Sequence, residues 1–163
     1  MKSLPETEDT LLVRTDFSDG EVWEAVCSEA RMMDPDVWKA LEFSEECNRT
    51  AGRPLRRPIE ELGTSLHIID DRDYADATCE QILSSLPPDS DSIHGFLFIA
   101  DKVCMDHSDH PLLVVDLYHE RGRTFRAIPS QIFGIQSNLS LANMDWEEFA
   151  DNVDDDGVFR GFK

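Results

Sequence analysis

Positive charge is scarce in this sequence: 15 Lys and Arg stand against 34 Asp and Glu, a formal net charge of −19 at pH 7. A field of that sign repels phosphate backbones and anionic lipid surfaces, so neither direct nucleic-acid binding nor membrane binding is expected. No run approaches the roughly 20 apolar residues of a membrane span, and Met1 to Asp9 carries one lysine and no apolar stretch, so no secretory signal is expected. The four cysteines, Cys27, Cys47, Cys79 and Cys104, lie too far apart to suggest a disulfide framework and are expected to act as small apolar side chains. Together these absences lead us to expect a cytoplasmic protein. Asn48-Arg49-Thr50 and Asn138-Leu139-Ser140 match glycosylation acceptors, but without an export signal we read them as chance matches. Also missing are a phosphate-cradling glycine loop, a Gly-x-Ser-x-Gly elbow, a His-Glu-x-x-His pair and a dinucleotide fingerprint. That argues against the common kinases, hydrolases and dehydrogenases, and no cofactor is expected.

What is present suits one folded domain. With 163 residues and 40% hydrophobic content the chain can bury a core without staples. Residues 1–9 read as a disordered polar tail and residues 10–163 as a single α/β domain. Thr10 to Phe17 reads as a strand. Ser18 followed by Glu21 is a capping-box pattern ahead of an apolar stripe through Val22, Val26, Ala30 and Met33. A second helix is expected from Val37 to about Asn48, then a loop from Arg49 to Pro58 in which Arg49, Arg53, Arg56 and Arg57 gather. Leu66 to Ile69 reads as a strand, and Tyr74 to Leu86 as a helix closed by Pro87-Pro88. Ile93 to Ala100 and Leu112 to Tyr118 are near-continuous apolar runs, as expected of strands covered on both faces. Thr124 to Ile128 returns antiparallel as a hairpin; Ser130 to Leu141 fits a helix or a strand; Asp145 with Glu148 caps a last short helix. This order predicts a mixed sheet of about five strands with helices packed on it. Its parallel strands would carry Asp16, Asp70 or Asp71, and Asp101 toward one edge, where ligands of such sheets gather.

Three constellations could carry chemistry. Asp16, Asp101 and Asp116 could act as acid, base or ligands of a divalent ion, with Arg126 as an anion clamp. Asp116, inside an apolar strand, needs a buried partner, for which Arg14, Arg123 and Arg126 are candidates. The segment Cys104 to His110 holds zinc-type ligands in Cys104, His107 and His110, but without the spacing of a zinc site, and a polar loop accounts for it better. Asn152, Asp154, Asp156 and Gly157 match the first half of a calcium loop, whereas Lys163 stands where the bidentate glutamate belongs.

The chain resembles a family of small acidic proteins known mainly as a bacterial domain of unknown function. The resemblance rests on Leu12-Val13-Arg14-Thr15-Asp16-Phe17-Ser18-Asp19, Phe96-Leu97-Phe98-Ile99-Ala100-Asp101 and His110-Pro111-Leu112-Leu113-Val114-Val115-Asp116-Leu117. It rests further on Gly122-Arg123-Thr124-Phe125-Arg126, Asn138-Leu139-Ser140-Leu141-Ala142-Asn143-Met144-Asp145 and Gly157-Val158-Phe159-Arg160-Gly161-Phe162. It implies that residues 32–59, an expected helix with its arginine loop, are an insertion relative to shorter members. It brings no activity, but it draws attention to Asp16, Asp101, Asp116, Arg123, Arg126, Asn138 and Asn143, a set that a network fixing the hairpin against the last helix would explain.

Two functions stay open. One is a protein-binding or regulatory domain that recognises a basic protein partner, an inhibitor of a basic toxin or nuclease being a special case, with Arg14, Arg123, Asn138, Asn143, Arg53, Arg56 and Arg57 as candidate binding residues. The other is a small hydrolase or lyase with an Asp/Arg site at the sheet edge. Carboxylates converging in a pocket would favour the enzyme; aspartates paired with arginines would favour the scaffold.

Overall fold

Every residue of strand β1 (Thr10–Arg14) is buried in the computed structural model, as a strand must be when both faces of its sheet are covered. The structure describes residues 1–33, 35–52, 64–88 and 95–163. Helices α1 (Gly20–Arg31) and α2 (Pro35–Thr50) follow β1, then β2 (Leu66–Ile69), a 3₁₀ turn (Arg72–Tyr74) and α3 (Cys79–Ser84). After these come β3 (Phe96–Ala100), α4 (Lys102–Asp106), β4 (Leu112–Asp116) and β5 (Thr124–Ala127). A second 3₁₀ turn (Pro129–Gln131), α5 (Ile132–Ser140), α6 (Trp146–Ala150) and β6 (Val158–Phe159) complete the described elements.

The strands form one mixed sheet in the order β2-β1-β3-β4-β5-β6. β1 runs parallel to β2 and β3, β4 is antiparallel to both β3 and β5, and β6 pairs parallel with β5. The register aligns Leu12 with Phe98, Phe98 with Val114 and Val114 with Phe125, so these four side chains share a face. That face packs against Trp23 and Val26 of α1, Ile132 and Ile135 of α5, and Phe149 of α6. The alternate residues, Leu11, Val13, Leu97, Ile99 and Val115, meet Tyr74, Ile82 and Leu4 on the opposite face. Each fully buried Leu, Ile or Phe contributes about 1.5–3 kcal/mol, so the two clusters hold the sheet between its layers.

The α/β class and the hairpin of β4 and β5 are as the sequence led us to expect, with differences that have physical reasons. A sixth strand, β6, is two residues long, too short to show a period. The segment after Ala100, read as a polar loop, opens with α4, because the Asp101 carboxylate accepts the Cys104 N–H and caps a turn that buries Cys104 and Met105. The helix expected from Tyr74 to Leu86 is broken: Asp76 adopts φ 57, and α3 starts afresh from a capping box of Thr78 and Gln81. At α1 the cap is Asp19, whose side chain accepts the Glu21 and Val22 N–H groups, while Ser18 bonds to Asp16. Of the first nine residues, expected as a disordered tail, Leu4 is 2% exposed and its N–H donates to Ser85 O at 2.7 Å. Arg53, Arg56 and Arg57, with most of their loop, and Ile93 and His94 lie outside the described residues. No helix among the described residues is long and apolar enough to cross a membrane.

Candidate functional site

Because β2, β1 and β3 run parallel, their carboxyl ends bring Asp70, Asp16 and Asp101 to one edge of the sheet. Arg14 organises this edge from below. It is 6% exposed, its Nη1 lies 3.3 Å from Asp70 Oδ1, and its other N–H groups donate to the Asp16 and Asp19 carbonyls at 2.9 and 3.1 Å. Its guanidinium also lies over the rings of Phe17 and Trp23, at 4.5 and 5.1 Å. Trp23 Nε1 closes the group by donating to Asp70 Oδ2 at 3.0 Å. Beside it, Arg126 Nη1 and Nη2 reach the two carboxylate oxygens of Asp101 at 3.0 and 2.6 Å, a bidentate fork, and Nη1 also donates to Pro111 O. Asp16 accepts the Ser18 N–H and hydroxyl. Burial alone would raise the Asp16 pKa, but these donors, with the charges of Lys102 and Arg14, hold it below the ordinary aspartate value.

Asp116 does not join them. β4 runs antiparallel to β3, so Asp116 stands opposite Phe96, at the far edge from Asp101. The physical cause is the hairpin: a strand that enters where β3 ends must finish where β3 begins. At 1% exposure, Asp116 is the centre of the β4–β5 turn. Oδ1 accepts the Tyr118 and His119 N–H groups at 2.9 and 3.1 Å; Oδ2 accepts the Glu120 N–H at 3.1 Å and Arg123 Nε and Nη2 at 3.3 and 2.9 Å. Burial pushes its pKa upward, but these five donors outweigh it and leave the carboxyl below its ordinary value. Arg123 Nη1 also reaches Glu147 at 2.6 Å, which ties the hairpin to α6. A cavity of about 120 Å³ opens beside this turn, lined in part by Asp116, Tyr118, His119 and Trp146.

The other sequence candidates fall elsewhere. Asn138 Nδ2 donates to Gly134 O within α5, and Asn143 is exposed with its N–H on Asn138 O, so neither joins the Asp116–Arg123 pair. In the cysteine–histidine segment, Cys104 Sγ donates to His110 O at 3.3 Å and His110 Nδ1 lies 2.9 Å from Cys104 O. Burial pushes the Cys104 thiol up to about 12, far from a thiolate nucleophile at neutral pH. In the acidic turn, Arg160 binds Asp154 and Asp156 at 3.0 and 2.7 Å as well as Asp109, and it holds Asp156 at about 2. Among the described residues, no group of three His, Cys, Asp or Glu side chains is arranged to hold a metal ion.

Sequence reasoning missed two buried polar groups, one of them an anchor. Gln136 joins α5 to the sheet by accepting the Ser65 N–H and donating to Thr10 Oγ1 and Ser65 O. Trp146 is 4% exposed, and its Nε1 has no hydrogen-bond partner among the described residues. Both sit on apolar stripes, where a polar group is read as incidental; no periodicity distinguishes them. Against known proteins, no curated protein matches the chain. The family model for a domain of unknown function (DUF6924) matches residues 9–162, nearly the whole sequence, and the chain therefore belongs to that family.

Proposed function

We propose that this chain is a docking domain, working in the cytoplasm, that recognises a basic protein partner through its carboxylate surface. The observation that carries the reading is the division of labour among its aspartates. Asp16, Asp101 and Asp116, the ones placed for chemistry, are engaged by Arg126, Arg123, Ser18 and backbone donors. The exposed ones, Asp19, Asp73, Asp76 and Asp106, crowd the segments that follow β1, β2 and β3, beside Asp70, which is exposed but also accepts from Arg14 and Trp23. Lys2, Arg72 and Lys102 offset them only in part. An edge with surplus negative charge attracts and orients a cationic surface over about a Debye length.

The alternative, a hydrolase or lyase, draws support from the cavity beside Asp116, but a carboxylate held by five donors is a poor proton shuttle at neutral pH. The test is recovery of binding proteins on the immobilised chain at about 50 mM and about 500 mM NaCl. Basic proteins retained at low salt and released at high salt are expected, with weaker retention by an Asp73→Asn, Asp76→Asn, Asp106→Asn triple variant. Retention indifferent to both salt and the triple substitution would remove the proposal.

A further inference from the structure

The cavity at the Asp116 edge combines rings with carboxylates. Phe96, Tyr118, His119 and Trp146 line it together with Asp116 and Asp145. Its immediate surroundings are rich in negative charge, since one guanidinium, Arg123, faces three carboxylates: Glu147 at 2.6 Å, Asp116 at 2.9 Å and Glu120 at 3.9 Å. Asp145 adds a further negative charge. Such a place repels anions, and a purely apolar guest gains nothing from the acids. A cation on an alkyl stem gains from both, because ring faces attract positive charge and the stem covers apolar lining. Arg123 already demonstrates the ring contact, its guanidinium lying 5.1 Å from the Trp146 ring centroid.

Size narrows the guest. About 120 Å³ is well below the roughly 300–1,000 Å³ of pockets for drug-sized ligands, so a single side-chain head fits and a multi-ring metabolite does not. Tyr118 is 67% exposed and packs edge-on against His119 at 4.8 Å, placing aromatic surface where an incoming chain first arrives.

We infer that this cavity seats one lysine or arginine side chain of the basic partner, gripped by the Tyr118, His119 and Trp146 rings within the carboxylates around Arg123. The inference rests on the docking reading above and adds to it a specific anchor at the opposite edge from the acidic loops. It is tested by two-dimensional NMR of the labelled protein, titrated with N-acetyl-lysine methylamide, N-acetyl-arginine methylamide and, as a neutral control, the same lysine compound acetylated at Nζ. The cationic probes are expected to shift the Trp146 indole and the Tyr118 and His119 amides saturably, leaving the Trp23 and Trp38 indoles in place, while the neutral control has little effect. Tyr118→Ala, an exposed position whose loss leaves the core intact, is expected to weaken probe binding about three- to fivefold. Absence of saturable shifts, or equal shifts from the neutral control, overturns the inference. The two proposals fail separately: silent probes with salt-sensitive partner retention intact sink the cavity anchor alone, whereas loss of any salt-sensitive basic partner sinks the docking reading.

Discussion

Truncating Asp116 to alanine would strand five donors at once, three of them backbone N–H groups that shape the turn. Breaking a buried charged pair from one side costs about 3–5 kcal/mol, so Asp116→Ala is expected to lower the urea midpoint by a corresponding amount at an unchanged m value. The same residue gives stability a pH dependence whose sign follows from its lowered pKa. The unfolded chain binds the proton more readily, so the contribution is present above the unfolded value of about 3.9 and is lost as pH falls below it, through the folded value. Asp156, held at about 2 by Arg160, adds to the same acid-side slope. Unfolding of Asp116→Asn, followed from about pH 5 to about pH 2, is expected to show a shallower decline than the parent protein; parallel curves would contradict this. The sequence made the need for a partner at Asp116 legible, since a carboxylate within an apolar strand announces one, and it named Arg123 among three choices. Which arginine serves which aspartate was not legible, because Arg123 and Arg126 flank the start of β5 three residues apart while Arg14 lies on β1, two strands from β4, and only the strand order and register of the assembled sheet separate them.

Elements with a clear period were found where they were expected. β2 matches its apolar run, and α6 begins at the box of Asp145 and Glu148. The misreadings fall where a local contact overrules a pattern. Asp76 turns the backbone to a positive φ, with its N–H on Thr15 O, and so breaks a stripe that looks continuous on paper. The hairpin shows the same dependence on local geometry. Gly122 sits at φ +90 with its N–H on Asp116 O at 2.8 Å, and a Cβ there would stand 3.4 Å from Leu83 Cδ1. A side chain in that region costs about 1–2 kcal/mol, so Gly122→Ala is expected to lower the thermal midpoint by several degrees. Gly20→Ala, where a Cβ meets nothing within 4 Å, is expected to be neutral or mildly stabilising in the same scan.

For the molecule as a whole, the net charge of −19 sets a cost that every folded contact must exceed. Compaction brings like charges together, and salt screens that repulsion. Raising NaCl from about 10 mM to about 200 mM is expected to raise the thermal midpoint by roughly 2–4 °C, the shift that about 1 kcal/mol produces at this size. A falling midpoint would mean that the pairs around Arg14, Arg123 and Arg160 dominate the balance instead. The same charge was the plainest signal in the sequence, yet composition gives its total and not its placement. The gathering of Asp16, Asp70 and Asp101 at one edge was legible once their strands were read as parallel, whereas the antiparallel course of β4 that takes Asp116 to the other edge shows only in the assembled sheet.

The position of β1 in that sheet bears on synthesis. The strand made first lies in the interior, and its two neighbours, β2 and β3, are translated much later. At about 5–20 residues per second, an apolar segment with both hydrogen-bonding edges open waits on the order of ten seconds at the ribosome before β3 emerges. The acids in the stretch between them would keep nascent chains apart during that interval, so the charge that opposes compaction of the finished fold also shields the polypeptide before it has a shape.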